Sequence, residues 1–211
     1  MNLNDIRQEY LQEELTIDAL QKTPIDQLNT WFNQALKAEV SYINAANLAT
    51  VDKNGIPSSR IILIKDITES GITFFTDYRS EKGQNIEHNS NVCVNIFWKE
   101  FDRQVRMIGT AKKISFEENQ KYFQSRPKDS QISATASMQS SEISKEELNQ
   151  RVASLTKQYE SHENLPCPKS WGGFEVTVSE FEFWQGRPNR LHDRFKYIVD
   201  SSSWNIKRLS P

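Results

Sequence analysis

The sequence predicts a mainly β protein of the α+β class, built on an antiparallel barrel with peripheral helices. About eight short segments carry strand patterns, turn signals separate them, and the helical patterns fall irregularly instead of alternating with the strands. The chain has 211 residues, which is enough to bury a core without disulfides. We expect a mobile N-terminal segment at 1–20 and a single domain at 21–211.

The helices are predicted from caps and apolar spacing. Thr23 is a suitable N-cap, Pro24 fits the first helical position, and Asp26 lies in the first turn. Apolar residues then recur at helical spacing. Similar reasoning predicts further helices at 80–88, 116–125 and 145–159.

The strands are predicted from alternating or continuously apolar runs between turn residues. The clearest hairpin signal is the turn at 52–55, which ends in Gly55. The predicted strands are 48–51, 58–65, 72–76, 92–98, 103–114, 173–178, 180–185, 194–199 and 204–209.

Composition excludes several classes of function. The formal net charge of -2 argues against general nucleic-acid binding. The longest aliphatic run is Ile61 to Ile64, far too short to span a membrane, and no signal peptide is recognisable, so we expect a cytoplasmic protein. The cysteines and histidines lack metal-ligand spacing, so no metal site is expected. No glycine-rich phosphate loop is present, so a phosphorylated cofactor would have to be held by side chains.

The segment at 181–194 has the highest density of charged and aromatic residues. If it is extended, Arg190, His192 and Arg194 share one strand face. Three such groups repel one another unless an anion or a π-surface lies between them. The alternative is a solvated strand face with acids nearby.

Two further clusters could hold phosphate. Arg60 and Lys65 stand at the ends of an apolar strand, and either can reach an anion at a barrel rim or simply face water. Tyr122 and Arg126 share a helix face ended by Pro127, with Ser130 in the loop beyond. The alternative there is an ordinary helix end with its basic residue.

These clusters, in this order, resemble the pyridoxine/pyridoxamine 5′-phosphate oxidase family. Six collinear blocks carry the resemblance, from about residue 5 to the last residue: 60–65, 122–130, 139–141, 171–174, 182–194 and 208–211. The resemblance implies an FMN-binding split β-barrel and a homodimer with active sites at the subunit interface. It also implies that O2 oxidises pyridoxine or pyridoxamine 5′-phosphate to pyridoxal 5′-phosphate, with release of H2O2.

The resemblance also implies roles for individual residues. The expected FMN-binding residues are Arg60, Ile61, Ile62, Leu63, Ile64, Lys65, Phe75, Thr76, Lys82, Gln104, Gln139, Ser140, Trp184 and Arg194. The expected substrate-binding residues are Arg7, Tyr10, Lys65, Tyr122, Arg126, Ser130, Arg190 and His192. Of these, Arg190 and His192 are the expected catalytic residues.

One departure from the family pattern concerns the cofactor phosphate. Family members usually have Ser-Arg-Lys where this chain has Ser80, Glu81 and Lys82. An acid beside a phosphate repels it, so FMN is expected to bind more weakly, or Glu81 to turn outward while another cation takes over. Two alternative functions remain open: a split-barrel flavin protein with another redox role, and a non-catalytic binder of pyridoxal 5′-phosphate.

Overall fold

The computed structural model describes residues 9–10, 13–200 and 203–211. Within them lie strands β1 (Ala45–Val51), β2 (Pro57–Ile67), β3 (Gly71–Asp77), β4 (Asn91–Trp98), β5 (Arg103–Lys113), β6 (Trp171–Gln185), β7 (Asp193–Asp200) and β8 (Ser203–Leu209). All pair antiparallel in the order β3-β2-β1-β4-β5-β6-β7-β8. Strand β3 also pairs with β6, which closes six strands into a barrel and leaves β7 and β8 outside it. The predicted antiparallel barrel is confirmed.

The helices lie at the periphery: α1 (Pro24–Lys37), α2 (Glu81–His88), α3 (Phe116–Ser125), α4 (Lys128–Ala136) and α5 (Lys145–Gln158). The predicted N-cap of α1 is confirmed, since the Thr23 side chain accepts a hydrogen bond from the Asp26 N–H. Helix α2 begins beside the end of β3. There Gly83 is needed, because a Cβ would lie 2.3 Å from the backbone oxygen of Tyr78.

Alternation along the strands places one face of each in the barrel interior. In β2, Ile62 and Ile64 are buried, whereas Leu63 between them is 43% exposed and Ile61 before them is 65% exposed. Burying a large aliphatic side chain contributes about 1.5–3 kcal/mol, so this alternation fixes the register of the strand. A second, smaller core of Phe123, Ile132, Leu165 and Trp171 holds α3 and α4 against the barrel.

Three local expectations were wrong. The strands predicted at 173–178 and 180–185 form one strand, β6, whose register against β5 shifts between Ile108 and Gly109. Ser130 lies in the first turn of α4, not in a loop, because a new helix starts directly after Pro127. Arg190 ends a short 3-10 turn and β7 begins only at Asp193, so Arg190, His192 and Arg194 do not share one strand face.

Part of the N-terminal segment packs on the barrel. Leu15 is buried, and its N–H donates to the Asp193 carboxylate at 3.1 Å. The mobility predicted for 1–20 stays a prediction. None of the helices in the described ranges is long and apolar enough to cross a membrane.

Candidate active site

A cavity of about 480 Å³ opens beside β2, β3 and the α3–α4 turn. It is within the size range of small-molecule sites. Of the residues predicted to bind the cofactor, it is lined by Ile61, Ile62, Leu63, Lys65, Phe75, Thr76, Lys82 and Gln139. Of those predicted to bind the substrate, it is lined by Lys65, Tyr122, Arg126 and Ser130. Ile64 instead lies in the barrel core.

Lys82 is a buried cation at one end of this cavity. Its side chain is only 7% exposed, and Nζ lies 3.0 Å from Gln139 Oε1 and 3.3 Å from Thr76 Oγ1. Across the described part of the chain, no carboxylate lies within ion-pair distance of it. Burial and the nearby Arg60 therefore lower the pKa of Lys82. A bound anion would relieve this unfavourable charge.

Arg126 contacts a different set of lining residues from Lys82, a group of aromatic rings, and the two sets are called here the Arg126 end and the Lys82 end of the cavity. Its guanidinium lies 4.8 Å from the centre of the Trp171 ring. Phe75 stacks on Tyr122 with ring centres 3.9 Å apart and on Trp171 at 5.3 Å. Nη1 of Arg126 is buried without a hydrogen-bond partner, and burial lowers the pKa of this guanidinium. Such an orphaned donor is costly unless a ligand accepts from it.

Tyr122 provides a neutral donor beside that guanidinium. Burial raises the pKa of the Tyr122 phenol, against the opposing effect of Arg126, so the hydroxyl keeps its proton at neutral pH. A phenol, a guanidinium and the Ser130 hydroxyl on one cavity wall suit a phosphate group.

Arg60, the cation predicted to bind an anion from β2, forms an ion pair with Glu81. Arg60 donates from Nη2 to Glu81 Oε1 at 3.0 Å and to Ser58 Oγ at 2.7 Å, and from Nη1 to Thr50 Oγ1 at 2.6 Å. The ion pair leaves Arg60 20% exposed and Glu81 58% exposed. Glu81 thus does not turn away from the basic cluster.

Arg79, the arginine nearest to Glu81 in the sequence, is also held by an acid. Arg79 pairs with Asp77 at 2.6 Å and donates to the Ser137 carbonyl at 3.3 Å. It lines a different cavity, between α4 and α5. Ser140 lies close to the α2 start, where its Oγ accepts from the Glu81 N–H at 3.2 Å.

The remaining predicted residues form a second group on β5 to β7. Gln104 pairs with Trp184, and Trp184 with Arg194, so the three stand in one row across the sheet. The Trp184 and His192 rings are 4.7 Å apart, and Tyr10 lies edge-on to both at 5.5 Å. None of the five lines the first cavity. Arg190 is exposed beside them with a positive φ of 61°, and Arg7 lies outside the described residues.

Hydrogen bonding fixes the proton on His192. Its Nδ1 accepts from the Arg187 N–H at 3.1 Å, so the neutral ring carries its proton on Nε2. Partial burial, Arg190 and Arg194 lower the pKa of His192, against the opposing effect of Asp193. The ring is therefore neutral at pH 7 and can donate from Nε2.

Sequence reasoning missed the two buried acids that organise this second group. Glu182 accepts from Arg194 at 2.8 Å and also pairs with Arg106. Asp193 accepts from Arg208 at 2.6 Å as well as from Leu15. The only signal in the sequence was the alternation along β6 and β7, which indicates the strand face of each acid. It does not identify the partners, because these lie on other strands and depend on strand register.

Comparison with known proteins agrees with this geometry. Residues 32–184 match the family model described as pyridoxamine 5′-phosphate oxidase, and residues 171–211 match the pyridoxine 5′-phosphate oxidase C-terminal dimerisation region. The chain belongs to the pyridoxamine 5′-phosphate oxidase family. Strands β6 to β8, which carry Trp184 and Arg194, fall within the family's dimerisation region, as does His192 between β6 and β7.

Full-length relatives support the assignment. The chain is 44% identical to the pyridoxine/pyridoxamine 5′-phosphate oxidase of Vibrio vulnificus (strain YJ016), with both chains covered completely. It is 45% identical over 214 residues to the protein of that name from Crocosphaera subtropica, again over the whole of both chains.

Solved structures share the fold. PhzG from Burkholderia lata 383, in complex with tetrahydrophenazine-1-carboxylic acid, superposes with a TM-score of 0.88 at 30% identity, covering 95% of this chain and 99% of that one. A pyridoxamine 5′-phosphate oxidase-related, FMN-binding protein from Nostoc punctiforme gives a TM-score of 0.71 at 16% identity, covering 90% of this chain and 98% of that one. This second likeness concerns the fold alone.

Proposed function

We propose that this chain is an FMN-dependent oxidase that converts pyridoxamine 5′-phosphate and pyridoxine 5′-phosphate to pyridoxal 5′-phosphate, with O2 as acceptor and H2O2 as product. The observation that carries the proposal is the set of three cations around one cavity, Lys65, Lys82 and Arg126, none of which has a carboxylate partner in the described ranges. Unpaired cations at both ends of a cavity suit two separate anionic groups. We expect the activity in the cytoplasm.

The residues at the Lys82 end fit the phosphate of FMN. Lys82 brings a charge without a counterion, and Thr76, Gln139 and Ser140 bring hydroxyl and amide groups close to it. Arg60 and Lys65 would complete this set, with the strand between them against the flavin. When bound, FMN supplies the acceptor for two electrons from the substrate and passes them to O2.

The residues at the Arg126 end fit the phosphate of the substrate. The orphaned Nη1 of Arg126 would donate to a phosphate oxygen, and the Tyr122 and Ser130 hydroxyls would add neutral donors. The stacked rings of Phe75, Tyr122 and Trp171 exclude water on one side and so strengthen these charged hydrogen bonds. The two ends together would fix the distance between flavin and substrate.

A second copy of the chain would complete the site. Five residues do not line the cavity of their own chain and lie within the dimerisation region or on a strand paired to it: Gln104, Trp184, Arg190, His192 and Arg194. In a homodimer they would face the partner's cavity. There Arg190 would place a positive charge over the substrate ring, and neutral His192 would donate its Nε2 proton to a polar group of the substrate.

The test is the absorbance spectrum of the purified protein under anaerobic conditions. Addition of pyridoxine 5′-phosphate should bleach the long-wavelength flavin band, and admission of air should restore it with formation of H2O2. A flavin band that stays unbleached would favour another redox role, such as one on an unphosphorylated carboxylate substrate. Absence of any saturable FMN binding would favour a carrier of pyridoxal 5′-phosphate.

A further inference from the structure

Glu81 places a negative charge beside the residues proposed to hold the cofactor phosphate. Its carboxylate lies 3.0 Å from Arg60 Nη2, and the next residue along the chain is Lys82. Its backbone N–H donates to Ser140 Oγ, while the Lys82 side chain contacts Gln139. The start of α2 therefore holds an acid and a base side by side against the same loop.

Moving Arg60 away from Glu81 has an energetic cost. Thr50 and Ser58 accept from its two terminal nitrogens and fix the guanidinium beside β1 and β2. Asn85 of α2 donates to the same Thr50 hydroxyl, which fastens the helix to this polar cluster. Glu81 is the exposed member of the network, so an incoming anion competes with Glu81 for Arg60.

The charge balance differs at the two ends of the cavity. At the Arg126 end, no acid in the described residues pairs with the cation. At the Lys82 end, Glu81 pairs with Arg60, Asp77 pairs with Arg79, and both carboxylates also act on Lys82 from a longer distance. A phosphate dianion that enters there gains less electrostatic stabilisation than two unpaired cations would provide, and the carboxylate of Glu81 also repels it.

We propose that Glu81 is a specificity-determining residue of the flavin site: by holding Arg60 at the phosphate end, it weakens binding of a phosphorylated flavin relative to an unphosphorylated one. The inference rests on the proposed function, because it assumes that the Lys82 end of the cavity receives the flavin phosphate. Since Glu81 is half exposed, solvent screens its charge and the effect is limited to about tenfold in affinity.

The experiment measures dissociation constants of FMN and riboflavin for the full-length apoprotein, from the quenching of flavin fluorescence at low ionic strength. Glu81→Gln should bind FMN about tenfold more tightly than the unsubstituted protein, and the gain should shrink as salt is added. Riboflavin lacks the phosphate, so its affinity should not change. The matched control is Glu87→Gln, since Glu87 lies on the same helix, is exposed, and pairs with Lys113 instead.

The outcomes separate the inference from the function beneath it. An unsubstituted protein that binds neither flavin would remove both. If that protein binds FMN but Glu81→Gln leaves the ratio of FMN to riboflavin affinities unchanged, the proposed function stands and the role of Glu81 is wrong. Weaker FMN binding by Glu81→Gln would also overturn the inference, because it would mean that Glu81 orients Arg60 for the phosphate.

Discussion

The cavity side and the dimerisation side of this molecule treat their cations in opposite ways. On β6 to β8, Arg194 pairs with Glu182 and Arg208 pairs with Asp193, each with a carboxylate that is almost fully buried. Around the cavity, Lys82 is buried and Arg126 is partly buried with its Nη1 atom enclosed, but neither has such a partner within the described chain. The difference favours a structural role for the first set of charges and agrees with the ligand-binding role proposed for the second. Substitutions on the two sides should therefore act on different quantities.

The largest effect on stability is expected from Asp193→Asn, on the paired side. Asp193 is buried, but its partners Arg208 and Arg187 are 53% and 26% exposed, so solvent screens part of the attraction and the free energy of unfolding should fall by about 2 kcal/mol. Urea denaturation followed by circular dichroism measures this loss. Glu69→Gln is the control, because Glu69 is exposed in a turn and should change stability by less than about 0.5 kcal/mol. An equally small effect at Asp193 would contradict the distinction between the two sides.

On the cavity side, Arg126→Met should lower the activity without destabilising the fold. The guanidinium has an orphaned donor, so its loss should lower kcat/KM for pyridoxamine 5′-phosphate about 100-fold, as expected for a charged hydrogen bond to phosphate. Oxidation of unphosphorylated pyridoxamine should be unchanged. Steady-state kinetics with both substrates checks this. Equal losses with both substrates would mean that Arg126 does not bind the phosphate.

Lys82→Met should weaken cofactor binding without destabilising the apoprotein. Replacing a buried, unpaired cation by an apolar side chain of similar length should leave the free energy of unfolding unchanged or raise it by about 1 kcal/mol. The dissociation constant of FMN should meanwhile rise about 30-fold. Fluorescence titration and urea denaturation on the same sample measure both. A clear loss of stability would show that Lys82 is a structural residue after all.

The smallest effect concerns protonation of His192. Because burial, Arg190 and Arg194 lower its pKa below the ordinary 6.5, NMR titration should find more than half of the His192 rings neutral at pH 6.5. The folded protein then holds the proton less tightly than the unfolded chain. The neutral ring therefore favours folding at pH values above the ordinary pKa. This contribution to the free energy of unfolding is lost as the pH falls through the pKa of His192 in the folded state. Arg190→Ala should move the pKa upward; no movement would place Arg190 far from the ring in solution.

Local signals were sufficient to predict most of the fold. Alternation at Ile62 and Ile64 predicted β2 because a pleated strand with one buried face imposes that period. The side chain of Thr23 and the ring of Pro24 predicted where α1 begins, since caps depend on neighbouring residues only. Helix α4 was missed because its apolar residues form a weak pattern, and only packing of Ile132 and Ala136 against the rest of the chain stabilises it.

The site was harder to predict where it depends on distant pairs or unusual backbone. The family resemblance implied a common site for Lys65, Tyr122 and Arg126, and the three side chains line one cavity. The pairing of Arg60 with Glu81 could not be read from a pattern, because 21 positions separate them and only the packing of α2 on the barrel joins them. Arg190 was misplaced because Asn189 and Arg190 adopt left-handed backbone angles, which the strand assumption did not allow.

Strand β6 is fifteen residues long and bonds to three neighbours: β3 along its first half, β7 along its second, and β5 along nearly all of it. Barrel closure and the β7–β8 hairpin consequently depend on one continuous backbone, with β3 bonded to residues 171–177 of β6 and β7 to residues 180–185. In hydrogen–deuterium exchange, amides in the middle of β6 should be among the last to exchange. The β3–β6 ladder and the β6–β7 ladder should lose protection together. A ligand that clamps the cavity would then slow exchange in the hairpin as well, although it touches no residue there.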